Sequence, residues 1–187
     1  MNAAAALARI EEWAATRGLD FRHDPANGSG AVYSACGKWR YLLWRIESRR
    51  AGLIGMGLLN PSTADHLRDD PTIRQCRMRA RQAGAKGVLV WNLFAYRATK
   101  PADLKRAADP VGPDNDEAIA LAAKLTRRTV LAWGTHGGHR RRDEEALAIV
   151  TGMACALWTL GLTAKGRPRH PLYLPTETRI RRAREFH

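Results

Sequence analysis

Apolar positions along the chain come in short runs, and each run is cut off by a polar or glycine-rich break. Leu53 to Leu59 is apolar and stops at Asn60-Pro61. Gly87 to Asn92 repeats the pattern. Thr129 to Trp133 repeats it again and ends in Gly134-Thr135-His136-Gly137-Gly138-His139. Runs of this kind read as buried strands of a parallel sheet, each carrying a polar residue to the sheet's C-terminal edge. Cys155 to Leu160 has no decisive period and reads as a fourth strand because Gly161 follows it. Helical spacing lies between the runs. Asp70-Pro71 opens a helix to about Ala83, with Ile73, Cys76, Ala80 and Ala83 on one face and Arg74, Arg77 and Arg81 on another. Asp114 and Glu117 predict a capping pair for a helix through Leu125. A further helix is expected from about Asp143 to Ala154. Strands alternating with helices predict a parallel sheet with right-handed crossovers.

The N-terminal quarter reads differently. Ala3 to Arg17 has the spacing of an amphipathic helix closed by Gly18. Phe21 to Gly30 reads as a loop. Ala31 to Cys36 and Trp39 to Ile46, joined by Gly37-Lys38, predict a hairpin, and the second run is mostly apolar on both faces. After the last strand, the loop Lys165 to Pro171 is stiffened by Pro168 and Pro171. The tail from Arg179 to His187 reads as a short basic helix or a frayed end. The expected architecture is a single α/β domain over 1–187. Residues 1–50 form a helix and hairpin packed on a 51–175 core, and 176–187 form a basic tail. The core is expected to be a three-layer α/β/α arrangement around a central, mostly parallel, four-stranded sheet.

Charge adds a partner to this picture. Among 187 residues, 31 Lys plus Arg face 18 Asp plus Glu, a net +13 in which Arg dominates. That excess favours a polyanion such as nucleic acid or a nucleotide, although it also keeps a protein soluble. The Arg74, Arg77, Arg81 stripe is either a solvated face or a ridge that tracks phosphates. Cys36, Cys76 and Cys155 are too scattered for a metal site or a disulfide framework, which points to reduced thiols in the cytoplasm. No apolar run is long enough for a membrane span. The residues from Met1 read as the start of a helix, not a secretion signal. With no phosphate loop, dinucleotide fingerprint or zinc spacing, no cofactor and no metal are expected.

The polar residues at the strand ends fall into a familiar order. Leu58-Leu59-Asn60-Pro61, Val88-Leu89-Val90-Trp91-Asn92, Val130-Leu131-Ala132-Trp133-Gly134-Thr135-His136 and His170-Pro171 resemble the successive motifs of the uracil-DNA glycosylase superfamily. The chain as a whole resembles a domain-of-unknown-function family of small bacterial and phage proteins. Asn-Pro-Ser-Thr-Ala-Asp, Asn-Leu-Phe-Ala-Tyr-Arg-Ala-Thr, Ala-Trp-Gly and Arg-His-Pro-Leu-Tyr are that family's hallmarks, and all four stand here. The glycosylase resemblance implies a glycosylase-like fold and a hydrolase that excises a damaged or modified base from DNA. It implies that Asn60 positions the attacking water, Asn92 reads the base edge, and His170 hydrogen-bonds the base oxygen as negative charge builds there. The last motif reads His-Pro-Leu-Tyr and the first lacks Gly-Gln-Asp-Pro-Tyr, which leaves the base open.

Cleaving an N-glycosidic bond leaves an electron-poor sugar and an anionic base, so fixed donors facing the base are what the chemistry needs. The missing water-activating carboxylate is supplied by Asp65, or by Asp69 or Asp70, with His66 as a further alternative. Phe94, Tyr96 and Tyr173 are either stacking platforms for an extruded base or core. His136, Arg140, Lys165, Arg167 and Arg169 are the expected DNA contacts of a protein read as a monomer. The competing expectation is a non-catalytic nucleic-acid or nucleotide-binding protein on the same fold.

Overall fold

The computed structural model describes residues 1–186, and the tail reading at His187 lies outside them. One mixed sheet of eight strands runs through the molecule: β1 (Asp20–Asp24), β2 (Ser29–Tyr33), β3 (Arg40–Ile46), β4 (Ile54–Leu58), β5 (Gly87–Asn92), β6 (Arg128–Leu131), β7 (Ala156–Thr159) and β8 (Arg181–Arg182). Their spatial order is β1-β2-β3-β5-β4-β6-β7-β8. Four of the seven pairings are antiparallel; the three that join β5, β4, β6 and β7 are parallel.

The expected separate four-stranded sheet with a hairpin packed on it is therefore corrected. The hairpin strands extend the sheet, because β3 is buried along its whole length and pairs antiparallel with β5 from Leu42↔Trp91 to Ile46↔Gly87. The loop expected over Phe21 to Gly30 is corrected as well. Its first part is β1, a polar edge strand that hydropathy could not reveal, anchored where Phe21 stacks on Trp44 at 5.3 Å. The basic tail, expected as a short helix or a frayed end, is a two-residue strand followed by a single 3-10 turn at Arg184–Phe186. Arg181 and Arg182 pair with β7 and end the sheet in charge, which blunts an open edge.

Helices cover both faces. Helix α1 (Ala3–Thr16) begins where Asn2 accepts the Ala5 amide at 2.9 Å and buries Ala3, Ala6, Leu7, Ile10 and Ala14 in one stripe. It packs with α4 (Asn115–Thr126) and α5 (Arg142–Gly152) over Leu89, Trp91 and Leu131. Helix α2 (Pro71–Gln82) lies on the opposite face, where Ile73, Cys76 and Ala80 meet Met56, Leu58 and Val90. A short helix, α3 (Pro101–Arg106), follows β5 and is not evident from periodicity. The capping pair expected for α4 does not form. Asp114 and Glu117 instead hold Arg17 at 2.9 and 3.0 Å, tying α1 to α4. The arginine stripe of α2 is also committed within the fold. Arg77 pairs with Asp69 and Arg81 with Glu47, while Arg74 donates to the Asp69 carbonyl. All three cysteines are unpaired. No helix among the described residues is long and apolar enough to cross a membrane.

Candidate functional site

From β4 the chain steps to β5 on one side and then to β6 on the other, so the sheet reverses direction at β4. Ligands of open α/β sheets bind outside the carboxyl ends of the strands at such a switch point. A cavity of about 420 Å³ opens there. Its walls come from the segment after β4 (Leu58 to Ser62), the start of α2, Ala98 and Thr99 after β5, Trp133 to His136 after β6, and Arg169 to Leu174 after β7. Backbone geometry shapes this edge. Gly134 has φ 75° and ψ −167°, a region closed to residues with a side chain, and its amide donates to the Pro168 carbonyl at 2.8 Å. That bond draws the loop before His170 against the end of β6.

Asn60 and His170 face this one cavity from positions far apart in the chain. The Asn60 amide nitrogen donates to the carbonyls of Pro61 at 2.9 Å and Ala98 at 2.7 Å. Both of its protons are thereby used, and Oδ1 is left as an acceptor. His170 has the complementary chemistry. Burial pushes its imidazole down to about 4, against a weaker opposing pull from Asp70, so the ring is neutral at physiological pH. Its Nδ1 accepts the Leu172 amide at 3.3 Å, which places the proton on Nε2. The site thus offers one fixed acceptor and one neutral N–H donor.

His136 and Arg169, expected as nucleic-acid contacts, are exposed residues that line the cavity. Leu172 and Tyr173 also line it; Tyr173 is 79% exposed, and its ring lies 5.5 Å from His170. Arg140 and Lys165 are exposed but outside the lining. Arg167 is held by Asp143 at 2.9 Å and ties its loop to the start of α5.

Other expected site residues lie elsewhere. Asn92 is fully buried, and neither polar atom of its side chain has a partner. It ends β5 beside Leu58 but does not line the cavity. Phe94 is core, 5.7 Å from the His139 ring. Tyr96 is half-buried in a neighbouring depression with Arg97. Asp65 closes a turn by accepting the amides of Leu67 and Arg68, with the Arg68 guanidinium on its other oxygen. Burial raises its carboxyl, but those donors outweigh that and hold it below its usual range. Asp69 is paired with Arg45 and Arg77. Of the three candidate carboxylates, only Asp70 lines the cavity.

Arg40 was not among the expected site residues. It opens β3, lies 98% buried, and borders the cavity. The signal was present as one of two arginines, with Arg45, in a strand that is otherwise apolar.

A mixed α/β protein whose largely apolar cavity carries a few polar groups at a sheet's switch point has the layout of a ligand-binding site. The family described as "Protein of unknown function (DUF1643)" matches residues 40–172, and the chain belongs to that family. The match spans β3 through Leu172 and so takes in Arg40, Asn60, Asp70 and His170. No curated protein and no solved structure matches the chain.

Proposed function

We propose that the protein is an N-glycosidase that excises a damaged or modified base from DNA, on a fold of the uracil-DNA glycosylase type. The observation that carries this reading is the shared cavity of Asn60 and His170, with an acceptor on one side and a neutral donor on the other. The four parallel strands with helices on both faces, and the order of the motifs along them, support the same reading.

In this mechanism Asn60 Oδ1 accepts a hydrogen from a water and aims its oxygen at the anomeric carbon. The N-glycosidic bond breaks and its electron pair leaves with the base. His170 Nε2–H donates to the base oxygen on which that charge collects, as a fixed donor does in an oxyanion hole. The water oxygen bonds to the cationic sugar carbon without strong prior deprotonation, and its surplus proton passes to solvent, from which the departed base anion is reprotonated. Extruding the base requires something to fill the stack and a cationic surface to hold the backbone. Leu172 and Tyr173 at the cavity edge supply the first, and Arg169 with the net charge of +13 supplies the second. No cofactor enters this scheme. Unpaired thiols suit a protein working in the cytoplasm.

The test is incubation with single-stranded and duplex oligonucleotides that carry a panel of normal, damaged and modified bases, scored for abasic sites. Abasic sites on at least one base support the reading. The enclosure of Asn92 favours a second one, a nucleic-acid or nucleotide-binding protein without catalysis, because the base-edge reader implied by the resemblance does not reach the cavity. Tight binding with no abasic product on any base selects that alternative.

A further inference from the structure

Arg40 is a buried cation whose charge is not paired within the fold. Its one side-chain hydrogen bond among the described residues runs from Nη1 to the Ala64 carbonyl at 2.5 Å. Its Nε is buried without a partner, and no carboxylate lies within ion-pair distance of it among the described residues. A guanidinium has five N–H donors, and leaving them unsatisfied in an interior is costly unless a ligand completes the set. Burial draws Arg40 down to about 10, which still leaves it charged at neutral pH. The other deep polar group is Asp70. Its Oδ1 caps α2 by accepting the Ile73 amide at 2.8 Å, and no other hydrogen bond or ion pair engages its carboxylate among the described residues.

We infer that Arg40 and Asp70 form a subsite in the depth of the cavity for a planar heterocyclic anion, with Arg40 donating to a ring oxygen that carries the negative charge and Asp70 accepting a ring N–H. The inference rests on the glycosidase reading and deepens it, since a base that has just left its sugar is such an anion. The two charges together decide the class of ligand. A lone buried arginine suits phosphate equally well. A carboxylate nearby repels a phosphate dianion more strongly than a singly charged ring, and it matches a heterocycle that presents an oxygen next to an N–H. A cavity of about 420 Å³ has room for one or two fused rings. In this assignment His170 donates to the base from the side of the β7 loop, and Arg40 from the start of β3. Arg40 is therefore a catalytic residue in the strict sense, touching the leaving group.

The probes are urate, a planar anion at neutral pH, neutral uracil, and inorganic phosphate, each titrated into the full chain by calorimetry. The wild type is expected to bind urate at least about tenfold more tightly than uracil, as a charge-assisted hydrogen bond implies. Phosphate equimolar with urate is expected not to displace it. Arg40→Met should bring urate down to the uracil level, and Arg40→Lys should restore part of the difference. Equal affinity for urate and uracil, displacement by phosphate, or an undiminished preference in Arg40→Met each overturns the subsite. The first two comparisons use only the wild type, so the inference remains decidable if Arg40→Met does not fold. Abasic-site formation with no preference for urate sinks the subsite and leaves the glycosidase standing. Arg40-dependent urate binding by a protein that makes no abasic sites does the reverse.

Discussion

The Asn60 amide donates to the Ala98 carbonyl at 2.7 Å, so a residue at the end of β4 is locked to the segment that follows β5. With a second bond to Pro61, the amide has one orientation, and only Oδ1 remains to act on a ligand. A carboxylate at this position is therefore not an improved base. Asn60→Asp places an oxygen against two carbonyls and removes both donors. It is expected to lower stability by about 2 kcal/mol and to lower turnover, read by thermal melting and abasic-site formation. Higher turnover in Asn60→Asp would contradict the orientation.

His170 gives a prediction in pH. Its folded value lies near 4, below the ordinary 6.5, because burial disfavours the imidazolium. As pH falls from about 6.5 toward 4, the unfolded chain takes up a proton that the folded chain refuses, so this group lowers stability across that window and is silent above it. An NMR titration should show one histidine that remains neutral to about pH 4, with its proton on Nε2. A midpoint near 6.5 would remove the neutral donor from the scheme.

Asp69 pins the loop that leads from Asn60 to α2. Burial raises its carboxyl, but hydrogen bonds from Arg77 and Arg45 outweigh that and keep it below the usual carboxylate range. Arg45 is 96% buried, so Asp69→Asn leaves a cation without a counter-charge. The expected loss is about 3 kcal/mol in denaturant unfolding. A loss below about 1 kcal/mol, the ordinary worth of a surface pair, would show that the Arg45 bonds to the Trp44, Asp65 and Arg68 carbonyls suffice.

Asn92 tests the resemblance itself. Two buried, unpartnered amide atoms are costly, and removing them should relieve that cost. Asn92→Leu is expected to raise stability by roughly 1 kcal/mol or more while turnover persists, since the side chain does not reach the cavity. A folded, stabilised and inactive variant would restore Asn92 as a base reader reached when the cavity opens.

Hydropathy made the parallel strands legible, because each is a short apolar run closed by a distinct polar residue, and the cap-then-proline order marked the start of α2 at Asp70. The same signal could not find β1 or β8. Asp20 to Asp24 and Arg181 to Arg182 are edge strands held by backbone pairing, with no apolar run to reveal them. It also misjudged side-chain partners. Asp114 and Glu117 have the spacing of a capping pair, but Arg17, nearly a hundred positions earlier, takes both. At the site, Asn60 and His170 were legible because each ends or follows a strand at the same edge. Asn92 has the same sequence signature, but the sequence does not show that its side chain is buried beside β4. Arg40 was visible only as one of two arginines in a mostly apolar strand, and the sequence does not show that Arg45 has a carboxylate partner while Arg40 has none.

The most direct measurement is the rate of abasic-site formation on whichever oligonucleotide the wild type processes best, compared with Asn60→Ala and His170→Ala and with DNA binding measured alongside. Both variants are expected to bind DNA with wild-type affinity and to lose at least about a hundredfold in rate, as the loss of one fixed transition-state contact does. Wild-type turnover in either variant, or the absence of abasic product with the wild type on every base, contradicts the assignment of this cavity as a glycosidic active site.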